Sequence, residues 1–141
     1  MGVCSSCRGA PEVTRHGTIL LDLSGWGGGH RSRYLLALWA AQRFGSAFPY
    51  GTLIVNLAGC FSIAAVMHAA VTLSWSPTLR SAITIGFLGG LTTYSSFNYE
   101  TTRLMEEGAS GAAALNATMT ILGAFAAGWL GMLCARQLLG R

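Results

Sequence analysis

Lysine is missing from this chain altogether, and ionised side chains of any kind are scarce. Charged residues make up 10% of the sequence, against about a quarter in soluble domains. The scarcity comes in long blocks. No Asp, Glu, Lys or Arg occurs from Phe44 to Leu79, from Ser81 to Tyr99, or from Gly108 to Ala135. Each block can supply the roughly 20 apolar residues that a helix needs to cross a hydrocarbon core. A water-soluble domain of 141 residues could not hide three such segments, so the composition puts the chain in a bilayer.

Other absences narrow the function. All nine basic residues are Arg, and they stand singly between apolar stretches. A net charge of +4 spread in this way reads as membrane-flanking Arg and excludes nucleic acid as a partner. Cys60 and Cys134 lie inside apolar spans, where a thiol acts as a small hydrophobe. Cys4 and Cys7 form one CxxC with no second pair, half a zinc site at most. The opening Met1-Gly2-Val3-Cys4-Ser5-Ser6 fits a myristoylation pattern that is short and often matched by chance. No Ser/His/Asp set, HExxH, P-loop or dinucleotide fingerprint occurs, so the chain is not read as an enzyme. Residues 1–16 are polar, lack the apolar region of a signal peptide, and read as a flexible tail. Residues 17–141 then form a single all-α transmembrane domain.

Four helices are expected in that domain. The first, about Thr18 to Ala41, is weak: Asp22, Trp26, three glycines, His30, Arg31 and Arg33 interrupt its apolar ends. Ionised groups near mid-bilayer cost on the order of 2.5 to 3.5 kcal/mol each. Gly25 and Gly29 at i, i+4 would allow close packing by a neighbour. Helix two runs from Gly51 to about Leu73, between Pro49-Tyr50 and Ser74-Trp75-Ser76-Pro77. Helix three runs from about Thr78 to Arg103, and helix four from about Gly111 to Gln137. The tail, the loop between helices two and three, and the C-terminus then share a side. They carry Arg8, Arg15, Arg80, Arg136 and Arg141, against Arg43 and Arg103 opposite, with Arg33 and Arg31 if these snorkel that way. So weak a bias permits insertion in both orientations.

Chemistry concentrates in helix three. Gly89-Gly90-Leu91-Thr92-Thr93 makes a poor continuous helix, and a break there would free backbone groups where there is no bulk water. The other reading is a tight glycine contact with Thr bonding back to its own helix. Tyr94 and Phe97, at i and i+3, share a face beside Thr93, Ser95 and Ser96. Ring edges carry partial positive charge, so the pair suits a small anion as well as ordinary packing. Helix two presents Thr52, Asn56 and Gly59 on one face, and a buried Asn amide offers N–H donors to an anion or to another helix. Helix four adds Asn116 and Thr120, with a small-residue seam of Gly123, Ala127 and Gly131. His68, alone on apolar helix two, reads as structural.

Two stretches together resemble the Fluc (CrcB-like) family of fluoride channels: Gly51-Thr52-Leu53-Ile54-Val55-Asn56-Leu57-Ala58-Gly59, and Gly86 to Phe97 with Glu100 following. The resemblance runs from about Arg33 to the C-terminus. It implies a passive, fluoride-selective channel in the cell membrane, multi-pass, exporting fluoride from the cytoplasm for detoxification. The implied assembly is an antiparallel, dual-topology homodimer with helix three broken mid-membrane. A structural sodium ion at the centre of the dimer would rest on carbonyls of Gly89 and Thr92. The fluoride path would fall on Asn56, Tyr94, Phe97, Asn116 and Thr120, with Thr93, Ser95 and Ser96 in the same region. Tyr94 stands where the family often has Phe, Ala124 ends the helix-four polar track early, and the stretch before Arg33 is more polar than the family's first helix. A small multidrug-type exporter, using Asp22 as its carboxylate, and a non-transporting scaffold are the competing readings.

Overall fold

The structure, a computed structural model, describes the backbone of residues 12–140 and side chains from Gly25 onward, Trp26 excepted. Cys4, Cys7 and Arg8 lie outside the described residues, as do the side chains of Asp22 and Trp26. All regular structure among the described residues is helical. The first helix, α1, spans Glu12–Phe44 without interruption. The tail expected to reach residue 16 therefore gives way to helix at Glu12, because extending a formed helix by a turn costs far less than starting one.

Gly45, at φ +82°, closes α1 with its N–H on the Ala41 carbonyl, and Pro49 leads into α2, Tyr50–Thr72. Ser76 then caps α3, Pro77–Ser81, by accepting from the Leu79 N–H at 3.3 Å, with Pro77 at the first turn where its missing donor does no harm. The chain continues through a π-helical segment, Ala82–Leu88, into α4, Gly89–Leu91. Thr92 and Thr93 are extended, and α5, Tyr94–Glu106, restarts the helix. After a turn at Gly108, α6 covers Ser110–Leu139. The expected break is present, two residues beyond the glycine pair. The π segment has no counterpart in the sequence reading.

Two of these helices, α2 and α6, are each long and apolar enough to cross a membrane, with mean hydropathy 1.9 and 1.6 over their best windows. They make the most extensive helix–helix contact and run in the same direction. Gly123 meets the Leu57 side chain, and further on Gly131 lies against the Phe61 carbonyl, so the expected small-residue seam does bring backbones together. The π segment, by contrast, packs on α1. A Cβ on Gly25 would lie 2.9 Å from the Ala82 carbonyl oxygen, and one on Gly29 would strike the Phe87 carbonyl. Thus α1 also runs parallel to the segment it touches.

The buried centre is small: Val55, Leu88 and Leu91, with Val66 and Ile83 against them. Large apolar side chains instead cover the outside, among them Phe125, Ile85, Leu122 and Trp129. Water would penalise that surface, whereas lipid tails do not. The protein is a membrane protein, and the glycines explain how α1 stays attached without a large apolar core.

The α1 contact gives a direct test. Gly29→Ala should lower the melting temperature in detergent, since its methyl would meet the Leu91 N at 2.8 Å and the Gly90 C at 2.9 Å. Overpacking of this kind costs about 1–3 kcal/mol. Gly27→Ala, with nothing within 4 Å, should leave melting unchanged or raise it.

Candidate functional site

Every backbone group freed by the break needs a partner, because lipid offers none. Asn56, in the second turn of α2, supplies two. Its Oδ1 accepts from the Thr93 N–H at 2.9 Å, and its Nδ2 donates to the Thr93 carbonyl at 3.2 Å. An amide carries a donor and an acceptor side by side and so can satisfy both groups of a single residue. Its nitrogen keeps a second N–H beyond the one given to Thr93. Gly59, one turn further along α2, has no side chain, and the Thr92 γ-methyl occupies that space.

On the far side of the break, Thr93 caps α5: its Oγ1 accepts from the Ser96 N–H at 3.3 Å and lies 3.0 Å from Ser95 Oγ. Thr92 Oγ1 donates back to the Leu88 carbonyl at 3.2 Å. The helix break and Thr back-bonding, offered by the sequence as alternatives, therefore occur together. The diverted donors have a further effect. The amide four residues after Gly89 is Thr93, and the amide four after Thr92 is Ser96. Both are committed to side chains, so the carbonyls of Gly89 and Thr92 lack their helical donors. Those are the two carbonyls expected to hold sodium, and a hard cation takes such oxygens.

The break opens onto a groove of about 320 Å³ between α2, α5 and α6, lined by Asn56, Thr93, Tyr94, Phe97, Thr120 and Phe125. The Tyr94 and Phe97 rings pack with centroids 5.5 Å apart and planes at 56°. Phe97 is buried, while Tyr94 is 78% exposed. Thr120 Oγ1 is buried yet has no hydrogen-bond partner among the described residues. An unused buried hydroxyl at a groove wall is available to a ligand.

Sequence-predicted residues thus divide. Asn56, Thr92, Thr93, Tyr94, Phe97 and Thr120 meet at this groove. Ser95 and Ser96 stand at the Thr93 cap, and Gly89 is exposed one turn before the break. Asn116 stands apart: 1% exposed, it donates to Thr101 Oγ1 at 2.8 Å and ties α6 to α5. Sequence reasoning did not pair Thr52 with Glu100. Thr52 Oγ1 donates to Glu100 Oε1 at 2.7 Å, beside a smaller cavity of about 180 Å³ that Arg103 also lines. The signal was there, since Thr52 precedes Asn56 by four residues and shares its face.

A family model described as "CrcB-like protein, Camphor Resistance (CrcB)" matches residues 22–132. The chain belongs to the CrcB-like family. The match begins before Arg33, so the polar stretch from Asp22 is part of the family domain. Among similar proteins, one from Citrifermentans bemidjiense is 49% identical over 107 residues, 75% of this chain and 86% of its own length. One from Geobacter sp. strain M21 is 50% identical over the same coverage. A third, from Sorangium cellulosum, is 47% identical over 82% of this chain and 91% of its length. Each of these relatives carries the name fluoride-specific ion channel FluC.

The amide clamp has a measurable consequence. Asn56→Leu strands the Thr93 N–H and carbonyl, at about 1–3 kcal/mol for each buried group left unpaired. Its melting temperature in detergent should fall well below that of the wild type. An unchanged melting temperature would mean that the break does not depend on Asn56.

Proposed function

We propose that this CrcB-like protein is a subunit of a passive, fluoride-selective channel through which fluoride leaves the cytoplasm. The observation that carries the reading is the groove at the break, in a chain nearly half identical to proteins named fluoride-specific ion channels. Its walls offer what a small anion loses with its water: an Asn56 N–H, the Thr120 hydroxyl and two ring edges. None of these carries a full charge. Fluoride is therefore held by partial positive charges alone, strongly enough to enter and weakly enough to leave. No bond is made or broken, and conduction follows the gradient. Fluoride that enters as neutral HF is thereby returned as the ion.

The assembly we propose is an antiparallel homodimer of four-span subunits in the cell membrane. Support comes from α5, where Ser95, Asn98 and Thr102 are exposed together with Tyr94 and Tyr99. A hydroxyl-rich face within a membrane segment needs cover, and a second copy in the opposite orientation supplies the same face. Exposed Gly89 would let the two breaks approach. Carbonyls of Gly89 and Thr92 from both subunits would hold a structural sodium ion there, whose positive charge would lock the dimer centre.

The test is ion release from liposomes holding the purified protein, read with a fluoride electrode against a chloride control. Fluoride should leave rapidly and chloride should not. Phe97→Ile should slow fluoride by at least about tenfold, or ~1.4 kcal/mol in the barrier, while eluting as the same dimer. Full rate in that variant would remove Phe97 from the path. Asp22→Asn should conduct normally, whereas a proton-coupled exporter working through Asp22 would stop.

A further inference from the structure

The groove does not end at Thr120. It continues into a larger one of about 710 Å³ between α2 and α6, and the two share Cys60, Ala124 and Phe125 as walls. Successive turns of α2 line this course at intervals of four: Asn56 at the break, then Cys60, Ala64 and His68. Parallel to them, Thr120, Ala124, Gly128 and Met132 of α6 form the facing stripe, also at intervals of four. From Asn56 to Val71 the helix rises about 22 Å, a large part of the ~30 Å of a hydrocarbon core.

Polar groups are unevenly spaced along it. Past Asn56 and Thr120 the walls turn apolar, with Ala124 and Ala64 where another hydroxyl would have continued the track. On α2 the next hydrogen-bonding side chain lining the groove is His68, about 18 Å beyond Asn56. From α6, Trp129 lines it as well, with an indole N–H that can donate. The His68 Nε2 is buried and has no hydrogen-bond partner among the described residues. The groove around it offers Met67, Val71, Trp129 and Met132, none of them a strong acceptor. An imidazole that only filled space there would leave a polar nitrogen unpaired in apolar surroundings, which is costly.

We propose that His68 is a further anion-binding station of the path, donating a hydrogen bond to fluoride at the end of the α2–α6 groove opposite Asn56. The proposal rests on the channel reading and extends it to a residue that the sequence alone assigns to structure. With its proton on Nε2, the imidazole takes up the ion that the truncated helix-four track at Ala124 can no longer hold. Asn56 and His68 then stand at the two ends of the α2 stripe that lines the groove.

The experiment compares fluoride efflux from liposomes for wild type, His68→Leu, His68→Met and His68→Gln, each expressed per dimer counted by size exclusion. Both apolar variants should slow efflux by at least about tenfold, and His68→Gln, which keeps an N–H, should stay within about threefold of wild type. Using two apolar variants guards against a folding defect peculiar to one of them. Wild-type rates in the Leu and Met dimers overturn the station and leave the channel reading intact. Equal loss in all three variants overturns it as a hydrogen-bond donor. A wild type that releases no fluoride overturns the channel reading and this proposal with it.

Discussion

Lipid will not hydrogen-bond a peptide group, and the third helical run of this protein is nonetheless interrupted. The pair of bonds between Asn56 and Thr93 resolves that conflict. By taking both backbone groups of Thr93, the amide makes an extended residue tolerable inside an otherwise helical membrane protein. Much else follows from it. Diverting the Thr93 amide leaves the Gly89 carbonyl without its helical donor, and the Thr93 cap on Ser96 does the same for Thr92. It also fixes where α5 begins, and hence that Tyr94 and Phe97 face a groove shared with Thr120 of α6. One side chain thus sets both the fold's main irregularity and the wall of its candidate path.

Around this point the protein relies on small residues more than on apolar bulk. Gly25 and Gly29 bring α1 onto the π segment, and Gly123 and Gly131 bring α6 onto α2. In a bilayer the hydrophobic effect does not press helices together, so close backbone approach and shared hydrogen bonds must. Buried Asn116, bonded to Thr101, is such a bond between α6 and α5. The same scarcity of apolar burial leaves grooves open between helices.

Much of this was legible from residues. The charge-free block from Phe44 to Leu79 announced α2, and the block from Gly108 to Ala135 announced α6, nearly to their ends. Gly89-Gly90-Leu91-Thr92-Thr93 offered either a break or a tight glycine contact, since poor helix formers were grouped there, and the structure shows the break. What could not be read was the π segment at Ala82–Leu88, whose residues differ little from those of an ordinary apolar helix. The partners of polar residues were equally hidden. Asn56 and Asn116 look alike in sequence, each on an apolar helix beside a Thr at i±4, yet one clamps the break and the other joins two helices.

The sequence by itself determined the solvent, the helical class, the stretch in which a break could fall, and the family. These depend on composition and local propensity, which act along the chain. Only the tertiary structure decided which carbonyls lose their donors, which hydroxyls stay unpaired, and that Asn56, Cys60, Ala64 and His68 line one course of grooves with α6. Such facts depend on what stands across the gap from each side chain. Helix periodicity says which residues share a face, and only helix–helix contact says what that face meets.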